Sequence, residues 1–440
     1  MINDSYIIRG GHPLKGRVNL SGAKNVSLKM IIAALMFDGK VVLENVPRIN
    51  DVLDLIELIK SHGVQVKFTG NRVEIMGTTN SNKVDLVYGS KIRVSFMLFA
   101  PLLFRHRQCF VPNPGGCRIG ARPIDRIIDG MKSLGVEVFY DSETGYYRAE
   151  ISDSPKGYYR FTKPSHTGTE LLILLGIMTN ESVEIDNAAV EPEIDELISF
   201  LNLSGANIKK AGGKIIIKKS LPLRQSKPFR VKSDRNELVT FATLGLASKG
   251  DVVVGPIFES AIASFLAEIK KVGATVEKID NDYYRFVYKT PLHGVEIETA
   301  PHPGFMTDWQ PNFAVLLMTA KGVSTITERV FENRFSYVEE LRKLGAKMDF
   351  FERQITNPEK YYFFNYVNNG SYQQSVRIEG DAPLHNAILN IKDLRAGAAL
   401  ACAALLVPGE SVVNGVAVLE RGYENFVDKV KSLGGDIKKA

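Results

Sequence analysis

The sequence predicts an α/β fold, and two observations support this prediction. First, an amphipathic helix pattern that ends at a glycine and leads into a short strand pattern recurs six times, at intervals of about seventy residues. Second, each of these units contains an earlier helix pattern that is more apolar. The glycines expected to end the amphipathic helices in the left-handed conformation are Gly63, Gly135, Gly205, Gly273, Gly345 and Gly434.

The earlier helix patterns are apolar on nearly every face, so we expect them to be buried, with the amphipathic helices and the sheets outside them. They span Lys24–Phe37, Lys91–Phe104, Gly168–Met178, Arg235–Ser248, Trp309–Ala320 and Leu394–Val407. Strand patterns follow both kinds of helix and include Lys40–Asn45, Arg72–Ile75, Tyr147–Ile151, Ser182–Asp186, Lys214–Ile217, Asp251–Val254, Tyr284–Val287 and Ser324–Thr327. The predicted fold is a two-domain inside-out α/β barrel of six βαβαββ-type repeats, three per domain, with buried helices and external sheets.

The repeats divide the chain into two predicted domains. Residues 23–232 form the first, and residues 1–22 together with 233–440 form a second, discontinuous domain. The N-terminal segment is assigned to the second domain because Tyr6–Leu20 has strand character, which suggests that this segment completes the sixth repeat. An Asn-Asn-Gly turn at Asn368–Gly370 predicts an added hairpin within the longer fifth repeat.

Composition limits the classes of function. The net charge of +6 over 440 residues is mild and forms no basic stripe, so it favours small anionic ligands and gives no support for nucleic acid. The three cysteines, Cys109, Cys117 and Cys402, cannot all pair, and the first residues do not read as a secretory signal, so we expect a cytoplasmic protein without membrane contact. No metal-ligand spacing is present, so we expect no metal.

Charged side chains cluster at the starts of the apolar helix patterns. Cations there oppose the helix dipole, which suggests a shared anionic ligand, although plain surface exposure is the alternative. These cations are Lys24, Arg93, Arg235 and Arg395. Carboxylates at the same positions are expected as ordinary N-caps, namely Asp234, Asp308 and Asp393.

Cys117 lies in a loop rich in proline and glycine, just ahead of two arginines, within Pro112–Asp125. Neighbouring cations favour thiolate over thiol, so this environment suits a reactive cysteine. A structural turn that happens to contain cysteine is the alternative.

Eight motifs in a fixed order cover essentially the whole chain. They are SGAKN at Ser21–Asn25, PGGCRIGARPID at Pro114–Asp125, NAAVEPEI at Asn187–Ile194, SDRNE at Ser233–Glu237, TAPHPGFMTD at Thr299–Asp308, VFENRF at Val330–Phe335, DLRA at Asp393–Ala396 and ERGYE at Glu420–Glu424. With these motifs the chain resembles the enolpyruvyl transferases, and closely the branch that acts on UDP-N-acetylglucosamine. The resemblance implies transfer of the enolpyruvyl group of phosphoenolpyruvate to the 3'-hydroxyl of UDP-N-acetylglucosamine, with release of phosphate and without metal or organic cofactor.

The resemblance also implies roles for individual residues. Cys117 would protonate the methylene carbon and could bond covalently to the enolpyruvyl unit, while Asp308 would accept the sugar hydroxyl proton and Asp393 would stabilise a cationic carbon. The cations would bind two groups of phosphoenolpyruvate. Its phosphate would be bound by Lys24, Arg122 and Arg421, and its carboxylate by Arg334 and Arg395. The further residues implied to bind substrate are Asn25, Arg93, Pro123, Ile124, Asp125, Arg126, Lys163, Ser165, His166, Thr307 and Val330.

The chain departs from this family mainly where the uridine is usually held. Arg126-Ile127 replaces the usual Leu-His, Ser165–Thr169 reads Ser-His-Thr-Gly-Thr in place of Ser-Val-Gly-Ala-Thr, and Val418 replaces a histidine. Three alternatives therefore stay open: a paralogue that uses another nucleotide or sugar, transfer to shikimate 3-phosphate, and a paralogue that binds ligand without turnover. The retained Lys24, Cys117, Asp308 and Arg421 argue against the last.

Overall fold

The computed structural model describes residues 4–115, 124–280, 282–368 and 370–440, and these form a mixed α/β protein, which confirms the predicted class. The strands are β1 (Ser5–Gly10), β2 (Lys15–Asn19), β3 (Val41–Glu44), β4 (Gln65–Thr69), β5 (Arg72–Met76), β6 (Gln108–Pro112), β7 (Glu137–Asp141), β8 (Tyr146–Glu150), β9 (Gly157–Arg160), β10 (Ser182–Asp186), β11 (Asn207–Ala211), β12 (Lys214–Lys218), β13 (Phe229–Arg230), β14 (Asp251–Gly255), β15 (Thr275–Ile279), β16 (Tyr283–Val287), β17 (Glu296–Glu298), β18 (Val323–Thr327), β19 (Lys347–Phe350), β20 (Ser375–Glu379), β21 (Ile388–Asn390), β22 (Gly409–Asn414) and β23 (Asp436–Lys439). The helices are α1 (Lys24–Ala34), α2 (Asn50–Ser61), α3 (Leu86–Lys91), α4 (Phe99–His106), α5 (Asp125–Ser133), α6 (His166–Gly176), α7 (Pro192–Asn202), α8 (Arg235–Ala247), α9 (Glu259–Lys271), α10 (Gln310–Leu317), α11 (Val338–Arg342), α12 (Pro358–Tyr361), α13 (Leu394–Leu406), α14 (Val416–Glu420) and α15 (Phe426–Ser432), with a 3-10 helix over Arg93–Leu98.

These residues fall into two compact units, each with its own hydrophobic core. The first unit comprises residues 22–115 and 124–232, and the second comprises residues 4–21 and 233–440, apart from the undescribed positions. The described residues of each unit contain three sheets. In the first unit the strand orders are β13-β3-β5-β4, β6-β8-β7 and β11-β12-β10-β9; in the second they are β15-β16-β14-β2, β17-β18-β20-β19 and β21-β22-β1-β23.

The four-stranded sheets share one pairing pattern. One edge strand runs parallel to its neighbour, and the remaining pairs are antiparallel, as where β2 runs parallel to β14 and β16 lies antiparallel to both β14 and β15. In the three-stranded sheet, Lys83 makes an isolated parallel bridge to Phe110, at the place of the missing edge strand. The same strand arrangement therefore recurs in both units.

The apolar helices are buried, as predicted. All residues of α8 and α10 are buried, and so is every residue of α1 except Asn25. In the second unit α8, α10 and α13 contact one another. A helix that is apolar all round has no face to present to water, so this packing follows from composition.

The amphipathic helices end where the sequence predicts. The six glycines after them all have positive φ, between 84° at Gly63 and 108° at Gly205, as a left-handed C-cap requires. Each therefore turns the chain directly into the strand that follows.

One predicted helix is wrong. Lys91–Phe104 is not continuous: α3 ends at Lys91, Ile92 is extended, and a 3-10 helix precedes α4. The Ser95 hydroxyl donates to the carbonyls of Gly89 and Ile92, and Pro101 lacks the N–H that an uninterrupted helix would use.

Two further expectations need correction. The first half of Tyr6–Leu20 does complete the last sheet, with β1 between β22 and β23, but the second half forms β2 and pairs with β14 instead. The hairpin predicted around Asn368–Gly370 falls partly outside the described residues, and the described residues between 351 and 374 hold only the short helix α12 and no strand. Aromatic contacts organise this segment, including Tyr362 stacked on Tyr366 with ring centroids 5.7 Å apart.

Across the described part of the chain, no helix combines the length and the apolar character needed to cross a membrane.

Candidate active site

A cluster of opposite charges lies in the second unit, around Asp308. Asp308 Oδ1 lies 2.8 Å from Arg334 Nη2, and Asp308 Oδ2 lies 3.3 Å from Arg395 Nε. Arg334 Nε lies 3.7 Å from Asp393 Oδ2, so the second carboxylate joins the same cluster. The arginine side chains are 4% and 3% exposed, whereas Asp308 keeps 22% exposure and can be reached from outside the protein.

Asp308 does not cap a helix, contrary to the N-cap expectation. The helix α10 begins at Gln310 with Trp309 in the N-cap position and without a side-chain cap. The indole N–H of Trp309 donates to Asn236 Oδ1 at 2.9 Å, which anchors this residue in the core. The Asp308 carboxylate is therefore left for the arginines.

The other two carboxylates are N-caps, as expected. Asp234 accepts from the backbone N–H of Asn236, and Asp393 accepts from the backbone N–H of Arg395, each at 2.8 Å. In this way Asp393 orders the start of the buried helix α13, from which Arg395 projects.

The electrostatics of the cluster favour the charged forms. Burial alone would raise the pKa of Asp308, but the adjacent Arg334 and Arg395 guanidinium groups hold it well below its usual range. Burial alone would likewise lower the pKa of Arg395, whereas Tyr423, Asp308 and Asp234 raise it. The two guanidinium groups thus favour the carboxylate form of Asp308.

Sequence reasoning missed Glu328, which is fully buried next to this cluster. Its carboxylate accepts from the hydroxyls of Thr307 at 2.7 Å and Thr299 at 2.9 Å. Arg334 Nη1 in turn donates to the Thr307 hydroxyl at 2.8 Å. The available signal was a carboxylate placed directly after the strand pattern Ser324–Thr327.

Glu328 also fixes the loop that follows it. Its Oε1 accepts from the backbone N–H groups of Val330 at 2.7 Å and Phe331 at 3.0 Å. Burial raises the pKa of Glu328, while Arg334, the Thr307 hydroxyl and these two amides oppose that rise.

Arg421 lies directly after the short helix α14, half-buried, in the second unit. The preceding Glu420 pairs with Lys439 Nζ at 2.6 Å and accepts from the Tyr6 hydroxyl at 3.3 Å. Residues near both ends of the chain therefore hold the segment that carries Arg421.

In the first unit, Lys24 is the first residue of α1 and is buried. Its Nζ lies 2.7 Å from Asp51 Oδ2, a partner in the first turn of α2 that the sequence did not reveal. Asn25 is the one residue of α1 that is not buried. Arg93 begins the 3-10 helix, with its guanidinium 6.0 Å from the centre of the Phe96 ring.

The residues expected at the nucleotide are also in the first unit. Asp125 and Arg126 begin α5, directly after the buried Ile124, and the carbonyl of Arg126 accepts from the Tyr159 hydroxyl at 2.8 Å. Burial lowers the pKa of Arg126, while Tyr159 and Asp125 act in the opposite direction.

The helix α6 carries the other nucleotide candidates. Ser165 is its N-cap and accepts from the Gly168 N–H at 3.3 Å, and the half-buried Lys163 lies just before it. His166 Nε2 lies 3.4 Å from the buried carboxylate of Glu170, which also pairs with Lys29 at 3.0 Å. Burial alone would lower the pKa of His166, but Glu170 raises it.

Cys117, Arg122 and Pro123 lie outside the described residues, so their predicted roles rest on the sequence. Among described candidates, direct contacts join Thr307, Asp308, Arg334, Asp393 and Arg395, and Glu328 links Val330 to them. Lys24, Arg93 and the nucleotide candidates belong to the first unit.

Residues 8–430 match the family described as EPSP synthase (3-phosphoshikimate 1-carboxyvinyltransferase). The chain belongs to the EPSP synthase family. This agrees with the recognition of the chain as an enolpyruvyl transferase from its motifs.

Relatives of this EPSP synthase family member span its whole length. It is 35% identical over 436 residues to UDP-N-acetylglucosamine 1-carboxyvinyltransferase 3 of Caldanaerobacter subterraneus, and 35% identical over 448 residues to UDP-N-acetylglucosamine 1-carboxyvinyltransferase of Brucella ovis, with 99% of each chain covered.

Solved structures share the fold. The enolpyruvyl transferase NikO from Streptomyces tendae superimposes with a TM-score of 0.85 at 23% identity, covering 99% of this chain and 98% of that one. EPSP synthase from Acinetobacter baumannii superimposes with a TM-score of 0.73 at 17% identity, covering 99% of this chain and all of that one.

Proposed function

We propose that this protein transfers the enolpyruvyl group of phosphoenolpyruvate to the 3'-hydroxyl of UDP-N-acetylglucosamine and releases phosphate. The relatives that carry this activity in their names are 35% identical over nearly the whole chain. The structural observation that carries the proposal is the pairing of Asp308 with both Arg334 and Arg395. The reaction would be the first committed step of peptidoglycan precursor synthesis, carried out in the cytoplasm.

The charged cluster of the second unit suits the donor carboxylate and the proton transfer. Arg334 and Arg395 offer planar donor groups that match a carboxylate, and the buried Arg395 Nη1 has no hydrogen-bond partner within the described part of the chain. Asp308 would take the proton of the attacking hydroxyl, and Asp393 would stabilise positive charge at the central carbon. Thr307 and Val330 would contact substrate beside them.

The remaining roles follow the bonds that form and break. The 3'-oxygen adds to the central carbon of phosphoenolpyruvate as Cys117 protonates the methylene carbon. Phosphate then leaves, and loss of a proton from the new methyl group restores the double bond. Lys24, Arg122 and Arg421 would bind the phosphate, which they stabilise as it departs.

The first unit would hold the acceptor. Asn25 and Arg93 would position the sugar. The nucleotide would contact the two segments that flank the starts of α5 and α6, namely Pro123, Ile124, Asp125 and Arg126, and Lys163, Ser165 and His166.

We extend the proposal to the architecture. Residues 23–232 would form one domain, and residues 1–22 with 233–440 the other, each an inside-out barrel of three βαβαββ-type repeats. Two facts support this: each unit has three sheets among its described residues, and α8, α10 and α13 are buried against one another in the second.

The test is phosphate release from phosphoenolpyruvate with a panel of acceptors: UDP-N-acetylglucosamine, other UDP-sugars, UMP and shikimate 3-phosphate. We expect release with UDP-N-acetylglucosamine and none with shikimate 3-phosphate. Release only with another nucleotide would favour a paralogue, as the departures at Arg126, Ile127, His166, Thr167 and Val418 allow. Binding of ligands without release from any acceptor would identify a non-catalytic paralogue.

A further inference from the structure

We propose that Glu328 is a positioning residue for phosphoenolpyruvate, which orients the Arg334 guanidinium through the Thr307 hydroxyl and fixes the following loop through the Val330 amide. The inference rests on the proposed function, in which Thr307, Val330 and Arg334 contact substrate. Glu328 itself is fully buried and acts through these neighbours.

The direction of each hydrogen bond is determined by chemistry. A guanidinium can only donate, so the Thr307 hydroxyl accepts from Arg334 Nη1 at 2.8 Å. The single proton of that hydroxyl then goes to Glu328 Oε2 at 2.7 Å. The chain of bonds runs from Arg334 through Thr307 to Glu328, and the carboxylate at its end sets the orientation of the hydroxyl.

The other carboxylate oxygen of Glu328 also accepts hydrogen bonds. Oε1 accepts from the Thr299 hydroxyl at 2.9 Å and from the backbone N–H groups of Val330 and Phe331 at 2.7 and 3.0 Å. Together with the Thr307 hydroxyl on Oε2, every one of these partners donates to Glu328. This pattern matches an ionised carboxylate, because that group only accepts.

A glutamine at this position cannot reproduce the pattern. If its amide NH2 faces the Val330 and Phe331 amides, donors oppose donors. If its NH2 faces Thr307, the Thr307 hydroxyl must accept from that NH2. The proton of the hydroxyl then has no acceptor at position 328. In either orientation a buried donor loses its partner, which is costly inside a protein.

The backbone at Glu328 is held in place independently of its carboxylate. The Gln374 side chain donates to the Glu328 carbonyl at 2.7 Å and to the Phe331 carbonyl at 3.0 Å, and it accepts from the Asn333 N–H at 2.7 Å. The loop thus keeps a support when the carboxylate is changed, so the effect on Arg334 can be measured in a folded protein.

The experiment compares Glu328→Gln, Thr307→Val and Thr307→Ser in the full chain. Glu340→Gln is the matched control, because Glu340 is also buried in the second unit and accepts from a backbone N–H, that of Asn390 at 2.9 Å, but has no link to Arg334. We expect Glu328→Gln and Thr307→Val each to raise KM for phosphoenolpyruvate about tenfold or more, with a smaller change in kcat. Thr307→Ser keeps the hydroxyl and should lie between Thr307→Val and the unmodified protein.

The double variant provides a second criterion. If Glu328 acts on Arg334 through Thr307, the combined Glu328→Gln and Thr307→Val substitutions raise KM by much less than the product of the single effects. A simple product of the two effects would overturn the proposal, as would an unchanged KM for phosphoenolpyruvate in Glu328→Gln.

Hydrogen exchange of a peptide that covers residues 328–334 separates this inference from the proposed function. Glu328→Ala removes both oxygens and should speed exchange of the Val330 and Phe331 amides, whereas Glu340→Ala should not; unchanged exchange in Glu328→Ala would overturn the inference. If the unmodified protein releases no phosphate with any acceptor, the proposed function and the phosphoenolpyruvate role of Glu328 both fail, and the exchange result then decides only whether Glu328 fixes the loop. If Glu328→Gln does not fold, the comparison of Thr307→Val with Thr307→Ser carries the kinetic test, and equal KM values for phosphoenolpyruvate in these two variants would overturn a chain of bonds through the hydroxyl.

Discussion

Arg334 Nη2 lies 2.8 Å from Asp308 Oδ1, so the proposed proton acceptor is paired with a residue that is itself proposed to bind substrate. Arg395 holds the other oxygen of the same carboxylate. The proposed binding and proton-transfer roles therefore meet in one ion-paired cluster, and kinetics can distinguish changes to the arginines from changes to Asp308.

Asp308→Asn should lower kcat for phosphate release by about a hundredfold or more, because an amide cannot accept the hydroxyl proton. The measurement is a steady-state phosphate-release assay with both substrates saturating, on protein shown to be folded by circular dichroism. Asp349→Asn removes a highly exposed carboxylate of the same unit and serves as the control. Turnover of Asp308→Asn close to that of the unmodified protein would exclude Asp308 as the base.

Arg395→Lys should raise KM for phosphoenolpyruvate by about tenfold, since lysine keeps the charge but loses the forked geometry that matches a carboxylate. Arg334→Lys should behave in the same way. Arg342→Lys, which alters a partly exposed arginine at the end of α11, is the matched control. An unchanged KM in both site variants would remove the carboxylate-binding role.

Much of the fold follows from local patterns. Apolar helices, glycine caps and alternating strands are properties of short segments, so Gly63 and α8 could be predicted directly. The pairing of β2 with β14 joins segments that are remote in sequence, and short-range patterns do not contain that information. The break before α4 does have local signals, Ser95 and Pro101, but the continuous apolar pattern of Lys91–Phe104 outweighed them in the prediction.

The same distinction between local patterns and remote contacts applies to the residues of the site. Motifs identified Asp308, Arg334 and Arg395, but the N-cap expectation for Asp308 was wrong because Trp309 is anchored by Asn236, a residue of another helix. Glu328 was missed because its importance lies in hydrogen bonds from two hydroxyls and two backbone amides, and the motifs mark none of these groups as its partner. Buried polar networks of this kind become visible only once the chain is folded.

Cys117 should be the residue alkylated by fosfomycin, an epoxide phosphonate that mimics phosphoenolpyruvate, because the proposed phosphate-binding cations would draw the phosphonate to it. Cys109 and Cys402 are buried, and burial raises the pKa of both thiols, which disfavours the reactive thiolate. Peptide mapping after labelling tests this. A label found mainly on Cys109 or Cys402 would contradict the assignment.

His166→Val should change KM for UDP-N-acetylglucosamine more than kcat, since His166 is proposed to contact the nucleotide and not the reacting atoms. Arg126→Leu should behave alike. The Glu170 carboxylate keeps Lys29 as a partner when His166 is removed, so the helix α6 should remain folded. A large fall in kcat at unchanged KM would overturn the assignment of both residues to binding.

Glu196→Gln should remove a pH dependence of stability that comes from one buried carboxyl group. Burial raises the pKa of Glu196 from 4.5 to about 7, and Glu193 adds to the rise, while the Lys232 N–H at 2.7 Å and the Lys232 charge oppose it. Between these two pH values the folded protein keeps a proton that the unfolded chain has lost, so stability falls as pH rises through this window. The shift corresponds to roughly 3 kcal/mol between pH 4.5 and pH 8.

Urea unfolding at several pH values measures this effect. We expect the free energy of unfolding of the unmodified protein, relative to that of Glu196→Gln, to decrease from pH 5 to pH 8. Glutamine still accepts the Lys232 N–H through its amide oxygen, so packing and hydrogen bonding are retained. Asp195→Asn changes an exposed carboxylate on the same helix α7 and is the matched control. If the stabilities of the unmodified protein and Glu196→Gln run parallel across this range, Glu196 is ionised throughout, because a group with the same charge in the folded and unfolded protein contributes no pH dependence.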